Sequence, residues 1–180
     1  MALLDCRVVD RGRWGDLEAL FDCRGGPSHC WCTVWRVGDK STNESRHALL
    51  HDRVEQGEQV GLLGYVDGRP VAWCSVGPRP TYRRLGGIEY DGVNEDRVWS
   101  IVCFFVPRDH RRQGAQTEML EAALQLARDR GAWVVEAYPV LPDSPSYRFM
   151  GFVETFEHAG FEHRGLAGTR RHVMSRWLSQ

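Results

Sequence analysis

Residues 101–131 place a basic, glycine-containing turn at the start of an amphipathic helix, which builds an anion site from backbone. IVCFFV reads as a buried strand ending at Val106, PRDHRRQGAQ as a turn, and TEMLEAALQLARDRG as a helix. The first N–H groups of a helix lack intrahelical acceptors and lie at the positive end of its dipole. A pyrophosphate placed there accepts from them. Gly114 lets the backbone approach closely, and Arg111 and Arg112 add charge. Neither Gly-x-x-x-x-Gly-Lys-Ser/Thr nor Gly-x-Gly-x-x-Gly occurs, so the P-loop and dinucleotide fingerprints are missing.

The elements that must hold this turn are marked by hydrophobic period and by turn residues. Residues 3–9 (LLDCRVV) predict a strand, and Trp14, Leu17, Leu20 and Phe21 recur at helical spacing up to Gly25-Gly26. Residues 29–37 (HCWCTVWRV) alternate β-formers and are expected as strand or extended loop. Ser41-Thr42-Asn43-Glu44 reads as a capping box opening a helix to about Gly57. QVGLLGYV and PVAWCSV flank Asp67-Gly68 as a hairpin. Residues 78–96 read as a loop and 97–106 as a central strand. In helix 114–130, Met119, Leu120, Ala123, Leu124 and Ala127 face the sheet, with Gly131 as the stop. A strand over 132–138, a loop, a short helix over 152–159 and a last strand over 170–178 complete the order β, α, α, β, β, β, α, β, α, β.

At Arg111-Arg112-Gln113-Gly114-Ala115-Gln116 the chain resembles the GNAT superfamily of acyl-CoA-dependent N-acyltransferases, whose signature is Arg/Gln-x-x-Gly-x-Gly/Ala. Gln116 departs from it, where Gly or Ala is usual. Ala159-Gly160-Phe161 and the order of elements agree with the family. The resemblance implies one α/β (α+β) domain over residues 1–180, with a mixed, mostly antiparallel, splayed central sheet flanked by helices. It implies acetyl-CoA as acyl donor, with backbone groups of Phe104 and Val106 pairing with the pantetheine arm. Arg111, Arg112, Gln113, Gly114, Ala115, Gln116 and Thr117 would hold the pyrophosphate. The acceptor would be a primary amine of a small molecule or peptide, attacking directly in a ternary complex, and a homodimer is common in the family.

The side chains that usually assist the chemistry are displaced. The family often places a Glu on the central strand, but VWSIVCFFV carries no carboxylate. Candidate bases are Glu136 on the neighbouring strand and the loop acids Glu89, Asp91, Glu95 and Asp96. The family's usual acid is the Tyr of Tyr-x-x-x-Gly-Phe, which here reads Phe156-Glu157-His158-Ala159-Gly160-Phe161. Tyr147 is the favoured substitute, ahead of Tyr138. The missing hydroxyl also supports an alternative, a non-catalytic acyl-CoA-binding sensor or partner subunit. Trp31, Trp35, Trp73, Tyr82 and Arg79 fall in segments that line the acceptor side in this family, as an aromatic pocket or as a second packed cluster.

Composition bounds the partners. The 180 residues suit one domain with a real core. A net charge of −1 argues against a dedicated nucleic-acid or anionic-membrane surface, although a local basic patch survives the average. No apolar run is long enough to span a membrane, and the N-terminus is charged too early for a secretory signal. The six cysteines, without a secreted-domain framework, read as reduced thiols in a cytoplasmic protein. Cys103 reads as a buried structural thiol. His29, Cys30 and Cys32 lack the Cys-x-x-Cys spacing of a zinc site, so no metal is expected.

Overall fold

Alternating and continuous apolar runs assemble into a single seven-stranded sheet in the computed structural model, which describes residues 3–178. The first half comprises β1 (Asp5–Val8), α1 (Trp14–Phe21), α2 (Asn43–Glu55), β2 (Leu62–Val66), β3 (Arg69–Pro78) and β4 (Val98–Phe105). The second comprises α3 (Ala115–Asp129), β5 (Val134–Ala137), α4 (Val153–His158), β6 (Glu162–Ala167) and β7 (Arg171–Trp177). The strand order is β1-β2-β3-β4-β5-β7-β6, and only the β4–β5 pair is parallel. This is the mixed, mostly antiparallel sheet flanked by helices that the resemblance implies.

The period of two in each strand sends alternate side chains to two helical layers. Leu63 and Trp73 face α1 and α2, joining Leu17, Phe21, Leu50 and Val54. Leu62 and Cys74 face α3 and α4, joining Met119, Leu120, Leu124 and Phe156. The Asp67-Gly68 turn between β2 and β3 uses positive φ at both residues, 50° and 74°, as that residue pair favours. The α2 capping box lies one residue later than the Ser41–Glu44 reading, with Thr42 as cap and Ser45 as its partner: Ser45 N donates to Thr42 Oγ1, and Thr42 N donates to Ser45 Oγ, both at 3.0 Å.

Two segments differ from their sequence expectation. Residues 29–37 form consecutive turns rather than a strand, with Trp31 and Cys32 both at φ 50°. Pro27 O accepts from the N–H groups of Cys30 and Trp31, which coils the chain, and Trp31 then packs between Phe21, Trp14 and His47. Packing of the large apolar side chains overrides the β-propensity of the run. Residues 162–167 are a strand that the sequence pattern does not announce. β6 is an edge strand with a mostly exposed Glu162-His163-Arg164 start, so it lacks the apolar alternation that marks buried strands.

No helix among the described residues is long and apolar enough to cross a membrane.

Candidate active site

The centre of the sheet carries a bulge and a fork. Ser75 pairs with Cys103 and Val76 with Ile101, so Val102 is an extra residue in β4. Its consequence is visible in the packing: Val102 and Cys103 both face α1 and α2, while Ile101 and Phe104 face α3 and α4. An extra residue bends a strand and increases its twist. β5 pairs with β4 only over Val98–Ile101, whereas β3 follows β4 to Phe105. Beyond Ile101, the side of β4 that faced β5 has no strand partner among the described residues. Ser100 and Tyr138 sit at the apex, their hydroxyls 3.4 Å apart.

The turn that follows is conformationally demanding. Arg112 (φ 61°) and Gly114 (φ 83°) are left-handed, and Gly114 is the N-cap of α3 without a side-chain cap. The first helical bond is Glu118 N to Gly114 O. The N–H groups of Gly114 through Thr117 therefore donate to no acceptor among the described residues. Gln113 Nε2 bonds Asp109 O at 3.1 Å and Arg111 Nε bonds Val106 O at 2.8 Å, which ties the turn to the end of β4. Arg111, Arg112, Gln113 and Thr117 are exposed, and Ala115 is buried. Gln116 reaches toward Gly151, where an added Cβ would lie 2.8 Å from Gln116 Nε2 and 2.9 Å from the Phe156 ring. A cleft separates this turn from the end of α1, with Cys23, Arg24 and Gly25 facing Pro107, Arg108, Asp109 and Arg111. Arg24 reaches this cleft only through the fold, whereas Arg108 belongs to the same turn in sequence.

Glu136 lies beside the fork apex and is fully buried. Its Oε1 accepts from Tyr90 OH at 2.8 Å and Ile88 N at 3.1 Å. Its Oε2 accepts from Tyr138 OH at 2.6 Å and faces Arg79 Nη1 at 3.5 Å. Arg79 also bonds Ile88 O and Glu95, so this ion pair stitches the 79–95 loop to β5. Glu89, Asp91 and Asp96 are exposed on that loop. Burial, together with the nearby Glu136, pushes the Tyr138 and Tyr90 phenols above their ordinary range, so both remain donors.

Of the five tyrosines, Tyr65, Tyr82, Tyr90 and Tyr138 have hydroxyls bonded to protein groups. Tyr147 has no hydroxyl partner among the described residues. It caps the short turn Arg148–Met150, which packs against β4. Its ring lies 6.1 Å from Trp35 and 6.3 Å from Phe149. Phe156, by contrast, is fully buried, with its ring against Phe104 and Phe161.

The acetyltransferase (GNAT) family profile matches residues 22–152, a span that includes the fork, the turn and Tyr147. The chain belongs to the GNAT family. Solved structures of the same fold include the ribosomal-protein-alanine N-acetyltransferase of Brucella melitensis (19% identity, 96% of this chain and 99% of that one, TM-score 0.59). Another is yncA of Salmonella typhimurium, solved with its cofactor acetyl-CoA (16% identity, 99% and 96%, TM-score 0.61). A third is AAC(6')-Ib in complex with ribostamycin and coenzyme A (17% identity, 98% and 94%, TM-score 0.65). At these identities the likeness is one of fold. No curated protein sequence matches this one.

In this GNAT chain the Tyr-x-x-x-Gly-Phe spacing occurs twice. The copy beginning at Phe156 lacks the hydroxyl, and the earlier copy, Tyr147-Arg148-Phe149-Met150-Gly151-Phe152, has it. That earlier copy is the sequence signal for Tyr147. Cys103, next to the bulge, has its Sγ 2.9 Å from Cys32 Sγ, and Cys32 in turn accepts from Trp73 Nε1. Burial and the contact with Cys103 push the Cys32 thiol well above its ordinary value, which opposes thiolate chemistry there.

Proposed function

We propose that this GNAT protein is an acetyl-CoA-dependent N-acetyltransferase, passing the acetyl group directly to a primary amine of a small molecule or peptide within a ternary complex. One observation carries the reading: a run of backbone donors from Gly114 to Thr117, unpaired among the described residues, adjoins a stretch of β4 that lacks a strand partner on one side. Such a surface fits a ligand with a phosphate group at one end and an amide-bearing arm running along the strand. Acetyl-CoA supplies the thioester that the amine attacks.

The chain's own residues then divide the work. Arg111, Arg112, Gln113, Gly114, Ala115, Gln116 and Thr117 bind phosphate oxygens, mainly through backbone. Phe104 and Val106 offer backbone groups along the arm, although Val106 O already accepts from Arg111, which leaves its N–H as the free group. The Tyr147 hydroxyl, without a partner among the described residues, donates a proton to the departing thiolate. Glu136 is a positioning residue: its buried oxygens hold Tyr138 and the 88–90 segment at the fork apex, and a proton reaches it only through those hydroxyls. With no exposed carboxylate on β4 itself, an amine of low basicity suits the site. An α-amine, with a pKa of about 7.7–8.0, is already partly neutral near pH 7.5, whereas a lysine-like amine at about 10.4 is not.

The absence of a carboxylate from β4 favours a second reading, an acyl-CoA-binding sensor without turnover. Calorimetric titration with acetyl-CoA followed by thiol release with a panel of amines tests both. Binding with release supports the enzyme, and binding without release supports the sensor. Failure of the folded protein to bind acetyl-CoA overturns both.

A further inference from the structure

The acceptor side of the fork carries positive charge without a counter-charge. The Arg36–Tyr82 bridge, with Arg83 N donating to Trp35 O at 2.8 Å, lays two short segments side by side. Alternation turns Arg36 and Tyr82 to one face and Trp35 and Arg83 to the other. Arg36 is fully buried, yet its partners are all neutral: Val60 O, Ser75 Oγ, Thr81 Oγ1 and Tyr82 OH. Among the described residues its Nε has no partner, and neither does the buried Nε1 of Trp35. On the other face, the Arg171 guanidinium lies 4.5 Å from the Trp35 ring and 5.5 Å from the Tyr147 ring, and that of Arg83 lies 5.8 Å from Trp35. Among the described residues, no carboxylate forms an ion pair with Arg36, Arg83 or Arg171. The chain as a whole is near neutral, so this imbalance is local.

The place of the cluster matters as much as its charge. Arg171 opens β7 just past the last β5 pair, and His172 N holds Pro139 O at 2.8 Å. It therefore stands at the mouth of the fork, against Tyr147, whose hydroxyl has no partner among the described residues. A guanidinium stacked on an indole keeps its N–H edge for a planar oxyanion. Arg171 spends one nitrogen on Leu85 O and keeps the others. Partly desolvated cations without anions are costly, and a bound carboxylate relieves that cost.

We propose that the acceptor is an amine that also carries a carboxylate, an amino acid or an acidic peptide, whose anionic group is held by Arg171 and Arg83 against Trp35. This rests on the transferase reading above. The same charges disfavour polycationic acceptors.

The test is steady-state thiol release with acetyl-CoA and acceptors matched except for one carboxylate. Dipeptide amides bearing Asp or Glu are compared with their Asn or Gln counterparts, and α-amino acids with their amides. Wild type is expected to favour the carboxylate-bearing member roughly tenfold or more in kcat/KM. Arg171→Gln and Arg83→Gln are each expected to cut that value about tenfold for the anionic acceptor. Both should lose the preference for the carboxylate-bearing acceptor while acetyl-CoA affinity stays within about twofold. Arg83 is exposed, so its variant carries the test if Arg171→Gln perturbs folding. Equal or better use of neutral or cationic acceptors by wild type overturns the proposal, as does a preference that survives both substitutions. Intact acetyl-CoA binding with no thiol release from any acceptor instead removes the transferase reading, and this proposal with it.

Discussion

At the start of α3 the groups aimed at a ligand are backbone N–H groups, placed by one left-handed glycine and the helix behind it. At the mouth of the fork they are side chains from separate segments, Trp35, Arg83, Tyr147 and Arg171, with buried Glu136 holding the apex behind them. The first arrangement depends on local chain geometry and is nearly indifferent to side-chain identity, Gly114 excepted. The second depends on the whole sheet closing correctly, and each member is held by another. Substitutions should therefore act differently in the two places. At the turn they should change ligand affinity without much change in stability, and at the fork apex they should change stability first.

The largest effect is expected at Glu136. Glu136→Ala leaves Arg79 without its buried partner and strips Tyr90, Tyr138 and Ile88 of their acceptor. Removing one member of a buried pair costs about 3–5 kcal/mol. Denaturant unfolding should show a loss of that size. Gly87 tests the same packing from the opposite side, because a Cβ there would come within 2.7 Å of the Glu136 carboxyl carbon. Unchanged stability with lost turnover in Glu136→Ala would make Glu136 a reacting group instead of an anchor.

At the turn, Gly114→Trp should do the reverse. Position 114 is at φ 83°, which costs a non-glycine residue about 1–2 kcal/mol, and that is the stability loss to expect. The larger loss should be in ligand binding, because the indole would stand where the phosphate approaches the N–H groups. Calorimetry should show acetyl-CoA affinity reduced at least about 100-fold, or about 2.8 kcal/mol. A variant that unfolds but binds normally when folded would contradict the backbone-built site.

The same difference explains what the sequence disclosed. The strand, the Gly114 turn and α3 are contiguous, and each has a local signature: an apolar run, a basic glycine turn and a 3.6-residue period. The fork has none. Val102 looks like any other apolar residue of β4, and only its pairing reveals it as the extra one. Glu136 sits in an apolar strand, but its four partners come from residues 79, 88, 90 and 138, which no spacing rule connects. Trp35 and Arg171 belong to distant segments that meet only because β7 lies beside β5. β6 escapes notice because an exposed edge strand has no apolar pattern to read.

Tyr147 sharpens the comparison because it belongs to the fork, yet its hydroxyl has no structural bond to lose. Tyr147→Phe should leave thermal stability and acetyl-CoA affinity unchanged while lowering kcat about tenfold, or about 1.4 kcal/mol. The thiol is a good leaving group, so the loss should sit at or below the usual range for general acid catalysis. Tyr138→Phe makes the contrast. It removes a 2.6 Å bond to a buried acid, so about 1–3 kcal/mol of stability should go with it. Equal stability losses in the two variants would mean that Tyr147 serves packing.

The smallest effect is expected at Gln116, the position where the turn departs from its family pattern. Its side chain points toward Gly151 and the Phe156 ring, and it forms no hydrogen bond among the described residues. What the turn contributes at this position is the N–H of the second residue of α3, which Gln116→Ala leaves in place. Alanine is also a slightly better helix former, which favours the variant by a few tenths of a kcal/mol. Acetyl-CoA affinity should therefore stay within about threefold of wild type, or about 0.7 kcal/mol. A loss beyond about tenfold would mean that the Gln116 amide itself grips the ligand, and the turn would then no longer differ in kind from the fork.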